Sequence, residues 1–143
     1  PIRQNIAVTG SINQKGEVQA IGGANQKIEG FFRVAREKGL TGAQGVIIPR
    51  SNFQNLMLEE EVVEAVREGK FHVYAVSSVD QAMEILTGLT AGEKKPDGKF
   101  EEGTLNYLVD KKLSQTVELL RSFEKREKEE EEKRENTAEN KEE

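Results

Sequence analysis

Lys27 ends the run Gly22-Gly23-Ala24-Asn25-Gln26-Lys27, just past an alternating apolar stretch and at the entrance to an amphipathic helix. An ammonium in the first turn of a helix faces the positive end of the macrodipole, and the two glycines ahead of it permit φ > 0 and close backbone approach. Dipole and burial both disfavour the charged form of a lysine, and an amine that gives up its proton near neutral pH can serve as a general base. Most lysines are surface residues, but none in this chain is better placed for chemistry than Lys27. Gly22 and Gly23 read as geometric support; the Gly-Lys-Ser/Thr ending of a phosphate-binding loop does not follow Gly23, which argues against nucleotide binding here.

The other titratable residues offer less. His72 alternates with Phe71 and Val73 in a strand pattern, and a single histidine with no second ligand at metal spacing reads as structural. Glu59, Glu60 and Glu61 are consecutive, so on a helix they diverge, and they suit the positive end of its first turn better than a metal site.

Several elements must position Lys27. Gln4 to Gly10 and Glu17 to Ile21 alternate as strands, with Ile6 and Val8 on one face of the first, and the intervening 11–16 segment with Asn13 and Gly16 suits a hairpin turn between them. Ala24 to Lys38 predicts a helix whose stripe Ile28, Phe31, Phe32, Val34 and Ala35 is buried, with Gly39 to end it. Gly45 to Pro49, with three consecutive β-branched apolar residues, predicts a strand covered on both faces. A loop or short helix over 51–58 leads to a helix from Glu59 to Gly69 that turns Val62, Val63, Ala65 and Val66 inward. Phe71 to Val76 predicts a strand, and Ser77 or Ser78 then caps a helix to Thr87, with Ala82, Ile85 and Leu86 inward and Gly88 closing it. Beyond a glycine- and proline-containing loop over 89–103, Thr104 to Phe123 carries Leu105, Leu108, Val109, Leu113, Val117, Leu120 and Phe123 at helical spacing, the pattern of a long helix docked by that stripe.

Composition narrows the function. The chain has 143 residues, 35% of them apolar, and a net charge of −5. Residues 124–143 hold ten acidic and six basic residues and account for −4 of it, leaving residues 1–123 nearly neutral. That balance lacks the basic surplus that nucleic-acid binding needs. Cysteine is absent, which excludes disulfides and thiolate zinc sites and fits a reducing cytoplasm. No apolar stretch approaches a membrane span, and no signal-peptide pattern opens the chain. Pro1 leads directly into an extended pattern, as expected of a piece of something longer.

Pro1-Ile2-Arg3, Ala7-Val8-Thr9-Gly10, the Gly16 to Gly23 segment and Lys27, in this order and spacing, resemble the Lon-type ATP-dependent protease domain. Gly45 to Pro49, Phe71 to Val76 and Val79-Asp80-Gln81-Ala82 resemble its later strands and last helix, while Leu86 to Glu93 and Phe100 to Asn106 are similar to bacterial Lon-like proteins with an extra C-terminal segment. The fold class implied is α/β: the C-terminal portion of the Lon proteolytic fold, a mixed sheet with packed helices plus a long C-terminal helix. Residues 1–90 would be that peptidase portion, 91–123 a connecting loop and helix, and 124–143 a charged tail, exposed or disordered.

The resemblance implies an ATP-dependent serine endopeptidase with a Ser-Lys dyad, in which a serine attacks the peptide carbonyl and a neutral lysine takes its proton. Lys27 matches that lysine and Thr9 the threonine that helps hold its amine. The family's nucleophile lies in a small-residue motif upstream of the position of Pro1; Ser11, Ser51, Ser77, Ser78, Ser114 and Ser122 are not in it, so this chain alone is expected to be inactive. Also implied are protein substrates, a hexameric ring, a cytoplasmic location, and an upstream AAA-type ATPase module that uses ATP and Mg, with no cofactor in this chain. The competing reading is a non-catalytic α/β binding or assembly module; a third is that the last helix and charged tail are an interaction element that pairs with another subunit or an adaptor through Leu105, Leu108, Leu113, Val117 and Leu120. Thr9 taken alone reads equally as an ordinary β-branched strand residue.

Overall fold

In a computed structural model, residues 1–139 are described, with side chains over residues 1–123. At the centre lies β4 (Gly45–Pro49), every residue of it buried. Its run of apolar residues is explained by the two layers that cover it. Val46 and Ile48 pack on one side with Ile28, Phe32 and Ala35 of α1 (Ala24–Glu37) and with Val62 and Ala65 of α2 (Glu60–Arg67). Ile47, between them, points the other way and joins Ala82 and Leu86 of α3 (Val79–Thr87). Alternation along a strand sends neighbours to opposite faces, so a strand covered on both sides must be apolar throughout.

Two parallel strands flank it, β1 (Ile6–Val8) and β5 (His72–Val76), giving the order β1-β4-β5. The register Ala7↔Val46↔Val73 puts one row of side chains toward α1 and α2, and Val8↔Ile47↔Tyr74 puts the next toward α3. Phe71, fully buried just before β5, sets its ring edge-on to Phe32 with centroids 5.2 Å apart and so locks α1 to the sheet. The α/β class expected from the sequence is what the chain adopts.

A hairpin is present, but between different partners from those expected. β3 (Val18–Gln19) pairs antiparallel with β2 (Ser11–Ile12), a segment expected to be turn, and the two form a sheet of their own. β1 is instead taken by β4, because Ile6 and Ala7 both have apolar surface to bury, on opposite faces. The hairpin is tied to the residues after β5: Val18 N–H donates to the Ser77 carbonyl at 3.1 Å and Val79 N–H to the Gly16 carbonyl at 3.3 Å.

Three expected core valines are exposed. Val34 is 54% exposed, because α1 buries Ile28, Phe32 and Ala35 at successive i, i+4, i+7 positions and Val34 lies off that line. Val63 and Val66 flank the buried pair Val62 and Ala65 on α2 and are partly open to solvent. The caps of α3 are as expected: Ser78 Oγ accepts from Gln81 N–H, and Gly88 closes the helix at φ 74°.

Residues Pro1–Ala91 form one compact unit and Gly92–Glu143 a second. In the second, Thr104 Oγ1 accepts from Tyr107 N–H at the start of α4 (Leu105–Glu139) and donates to the Glu101 carbonyl at 2.7 Å. Within this unit Leu108, Val109, Leu113, Val117, Leu120 and Phe123, the apolar stripe of α4, are exposed. Helical spacing of apolar residues shows only that a face exists, not that the same chain covers it. The expectation of an exposed or disordered tail concerns residues 124–143, whose side chains lie outside the described residues.

Candidate active site

The carboxyl ends of β1, β4 and β5 are Val8, Pro49 and Val76. In open parallel sheets ligands bind beyond these ends; Thr9 lies in the segment that leaves β1, and Lys27 in the helix that follows the β2-β3 hairpin. Thr9 directly follows β1, half-buried, its N–H donating to the Ile47 carbonyl at 3.0 Å, which fixes its backbone to the central strand. Its side chain lines an apolar cleft with Val8, Gly10, Ile12 and Val18 from the β1 and hairpin side and Met83 from α3.

Lys27 is reached through the hairpin. The chain leaves β3, passes Gly22, and enters α1 through Gly23, the N-cap, in the left-handed region at φ 70° and ψ 27°. A side chain would be strained there, so the glycine is needed for the entry angle. Lys27 N–H donates to the Gly23 carbonyl at 3.1 Å, the first hydrogen bond of the helix. Ala24 and Ile28 face the core, which turns Lys27 outward, and its side chain is exposed. Neither the Lys27 amine nor the Thr9 hydroxyl has a hydrogen-bond partner among the described residues, and no hydrogen bond joins the two.

Sequence reasoning passed over the residues that hold this turn in place. The chain leaves β4 in a 3-10 turn, Arg50–Asn55. From it the Asn52 amide grips both backbone groups of Ile21, accepting from its N–H at 3.0 Å and donating to its carbonyl at 2.9 Å. Asn25 Oδ1 accepts from Met57 N–H at 3.3 Å, and Glu29 Oε1 accepts from Glu59 N–H at 3.2 Å. Three polar side chains thus fasten the glycine turn and the first two turns of α1 to the segment after β4. An asparagine following a buried strand is the only local signal, and nothing in the sequence names its partner 31 residues away.

The remaining candidates are structural. His72 Nε2 lies 2.8 Å from the Gly42 carbonyl, and its ring lies beside that of Tyr74. Glu59 and Glu61 meet Arg33 and Arg36 of α1 across the helix pair. Gly22 and Gly23 lie in the short link between β3 and α1. No helix among the described residues is long and apolar enough to cross a membrane.

Comparison with known proteins agrees with this architecture. Residues 1–88 match the Lon protease (S16) C-terminal proteolytic domain. A Lon protease homolog of Haemophilus influenzae is 42% identical over 113 residues, covering 79% of this chain and 19% of that protein. One of Escherichia coli is 51% identical over 89 residues, covering 62% of this chain and 15% of that protein. An archaeal Lon protease of Archaeoglobus fulgidus is 37% identical over 104 residues, covering 71% and 14%. The chain therefore spans less than a fifth of the length of these relatives. Lys27, Thr9 and Asn52 all fall within the matched residues, and the chain belongs to the family of Lon protease C-terminal proteolytic domains.

Proposed function

We propose that this chain is the C-terminal portion of an ATP-dependent serine endopeptidase, in which Lys27 is the general base for a serine located upstream of Pro1. The observation that carries this reading is an exposed lysine whose amine has no hydrogen-bond partner among the described residues, presented by a glycine entry turn at the start of α1, within residues that match a proteolytic domain. In this reading the neutral Lys27 amine takes the proton of the serine hydroxyl as that oxygen bonds to the peptide carbonyl. It then passes the proton to the departing amine, and water releases the acyl group. Thr9 supports the amine through its hydroxyl. The upstream segment would also cover Lys27, which is exposed among the described residues.

The substrates are proteins in the cytoplasm, and the assembly is a homo-oligomeric, hexameric ring. ATP and Mg belong to an upstream AAA-type module. Alone, this chain is inactive because its base has no nucleophile.

The test uses the full protein with the segment upstream of Pro1, with casein and a fluorogenic peptide as substrates. Lys27→Ala is expected to lower cleavage by about 100-fold or more, in line with the loss of a general base. Thr9→Val is expected to cost less. Cleavage by Lys27→Ala at the wild-type rate would overturn the assignment.

A further inference from the structure

Two glycines in succession make a poor mount for a catalytic group. Gly22 and Gly23 have the widest conformational freedom of any residue type, and a β-carbon built on Gly22 would touch nothing within 4 Å. Packing at the glycines therefore does little to hold the direction in which α1 starts. What stands immediately before them is Ile21, and both of its backbone hydrogen-bonding groups are held by one side chain, Asn52, at 3.0 and 2.9 Å.

We propose that Asn52 is the positioning residue for Lys27: it transfers the rigidity of the central strand to the glycine turn and so fixes where the lysine amine stands. The proposal rests on the reading of Lys27 as the base. Asn52 comes three residues after Pro49, the fully buried end of β4, so its backbone follows directly from the buried central strand. The N–H of Ile21 requires an acceptor and its carbonyl a donor, and an asparagine amide presents one of each from a single planar group. The two bonds together define orientation as well as distance, which a single hydroxyl or carboxylate could not. Asn25 and Glu29 add one bond each farther along α1, from Met57 and Glu59, but both lie beyond the glycines. Of these three side chains, Asn52 is the one that acts before them. A displacement of about 1 Å at a catalytic group can cost on the order of 100-fold in rate even when the cause is distant.

Asn52 also satisfies two partly buried backbone groups, and that role by itself would show as lost stability and nothing more. The experiment separates the two. In the full protein, kcat and KM for a fluorogenic peptide are measured for Asn52→Ala and Asn52→Asp beside Lys27→Ala, with ATP hydrolysis and melting temperature followed in parallel. The expected result for Asn52→Ala is a kcat lower by about 10- to 100-fold, with KM within about 2-fold and ATP hydrolysis unchanged. Asn52→Asp keeps the acceptor for the Ile21 N–H and loses the donor to its carbonyl, so it is expected to fall between. A wild-type kcat in Asn52→Ala, alongside a dead Lys27→Ala, overturns the positioning role and leaves the base assignment standing. Active Lys27→Ala overturns the base assignment itself. Should Asn52→Ala melt below the assay temperature, Asn52→Asp decides: an unchanged kcat overturns the proposal, and a lowered kcat at unchanged KM and ATP hydrolysis supports it.

Discussion

The β-carbon that Gly45 lacks would stand 2.7 Å from the carbonyl oxygen of His72, and 2.9 Å from the ring of Tyr74. Gly45 and His72 are register partners at the start of the β4 and β5 pairing, so the approach is part of how the central strand is seated. Nothing that close is a flexible side-chain tip; the nearest atom belongs to the backbone. Gly45→Ala is therefore expected to destabilise the fold by about 1–3 kcal/mol, as overpacking in a filled interior does. Chemical denaturation of the two proteins checks this, and an unchanged midpoint would refute it.

Arg36 and Glu61 join α1 to α2, and the Arg36 guanidinium is raised above its ordinary pKa, first by the hydrogen bond to Glu61 and then by that carboxylate's charge. A cation with a raised folded pKa contributes stability that is complete below its unfolded pKa and is lost only as pH climbs through the folded one. For an arginine that window is strongly alkaline, so titration of Arg36 adds nothing to the pH dependence of melting near neutrality. Both partners are solvent-exposed and screened. Glu61→Gln is thus expected to lower the melting temperature slightly at low salt, with the difference from wild type closing as salt approaches about 1 M. A gap that persists in high salt would show that the pair acts through packing instead.

Leu113 is 61% exposed and Leu120 57%, both on the stripe of α4 that sequence periodicity marks as a docking face. Substituting an exposed residue away from caps and networks changes stability by no more than about 0.5 kcal/mol. Leu113→Gln and Leu120→Gln are expected to stay within that limit in thermal melts of the isolated chain. A loss of 2 kcal/mol or more, of the order seen for a buried leucine, would mean that the stripe is covered in solution.

Much of the fold was legible because its causes are local. Three consecutive β-branched residues between glycine and proline specify a strand covered on both faces, and β4 has those bounds. Ser78 and Gly88 bracket α3 through a hydroxyl that accepts from Gln81 and a left-handed turn, and both depend only on neighbours in the chain. Gly23 has the conformational freedom that a strand-to-helix turn uses, and it is the left-handed N-cap that admits α1. The types and spacing around Lys27 and Thr9 were enough to name the family.

Pairing and burial were decided elsewhere. Whether β1 joins β3 or β4 depends on which partner covers both Ile6 and Ala7, and the register partners that do so, such as Ala7 and Val46, are far apart in the sequence. Val34 and Phe32 are equally apolar in the sequence, and only the line along which α1 meets β4 makes one core and the other surface. The same holds at the site. The sequence by itself determined that a lysine follows two glycines at the start of a helix. The tertiary structure alone brought Asn52 to Ile21, because a hydrogen bond needs its atoms within about 3 Å and only the folded sheet sets the end of β4 beside the turn that carries Lys27.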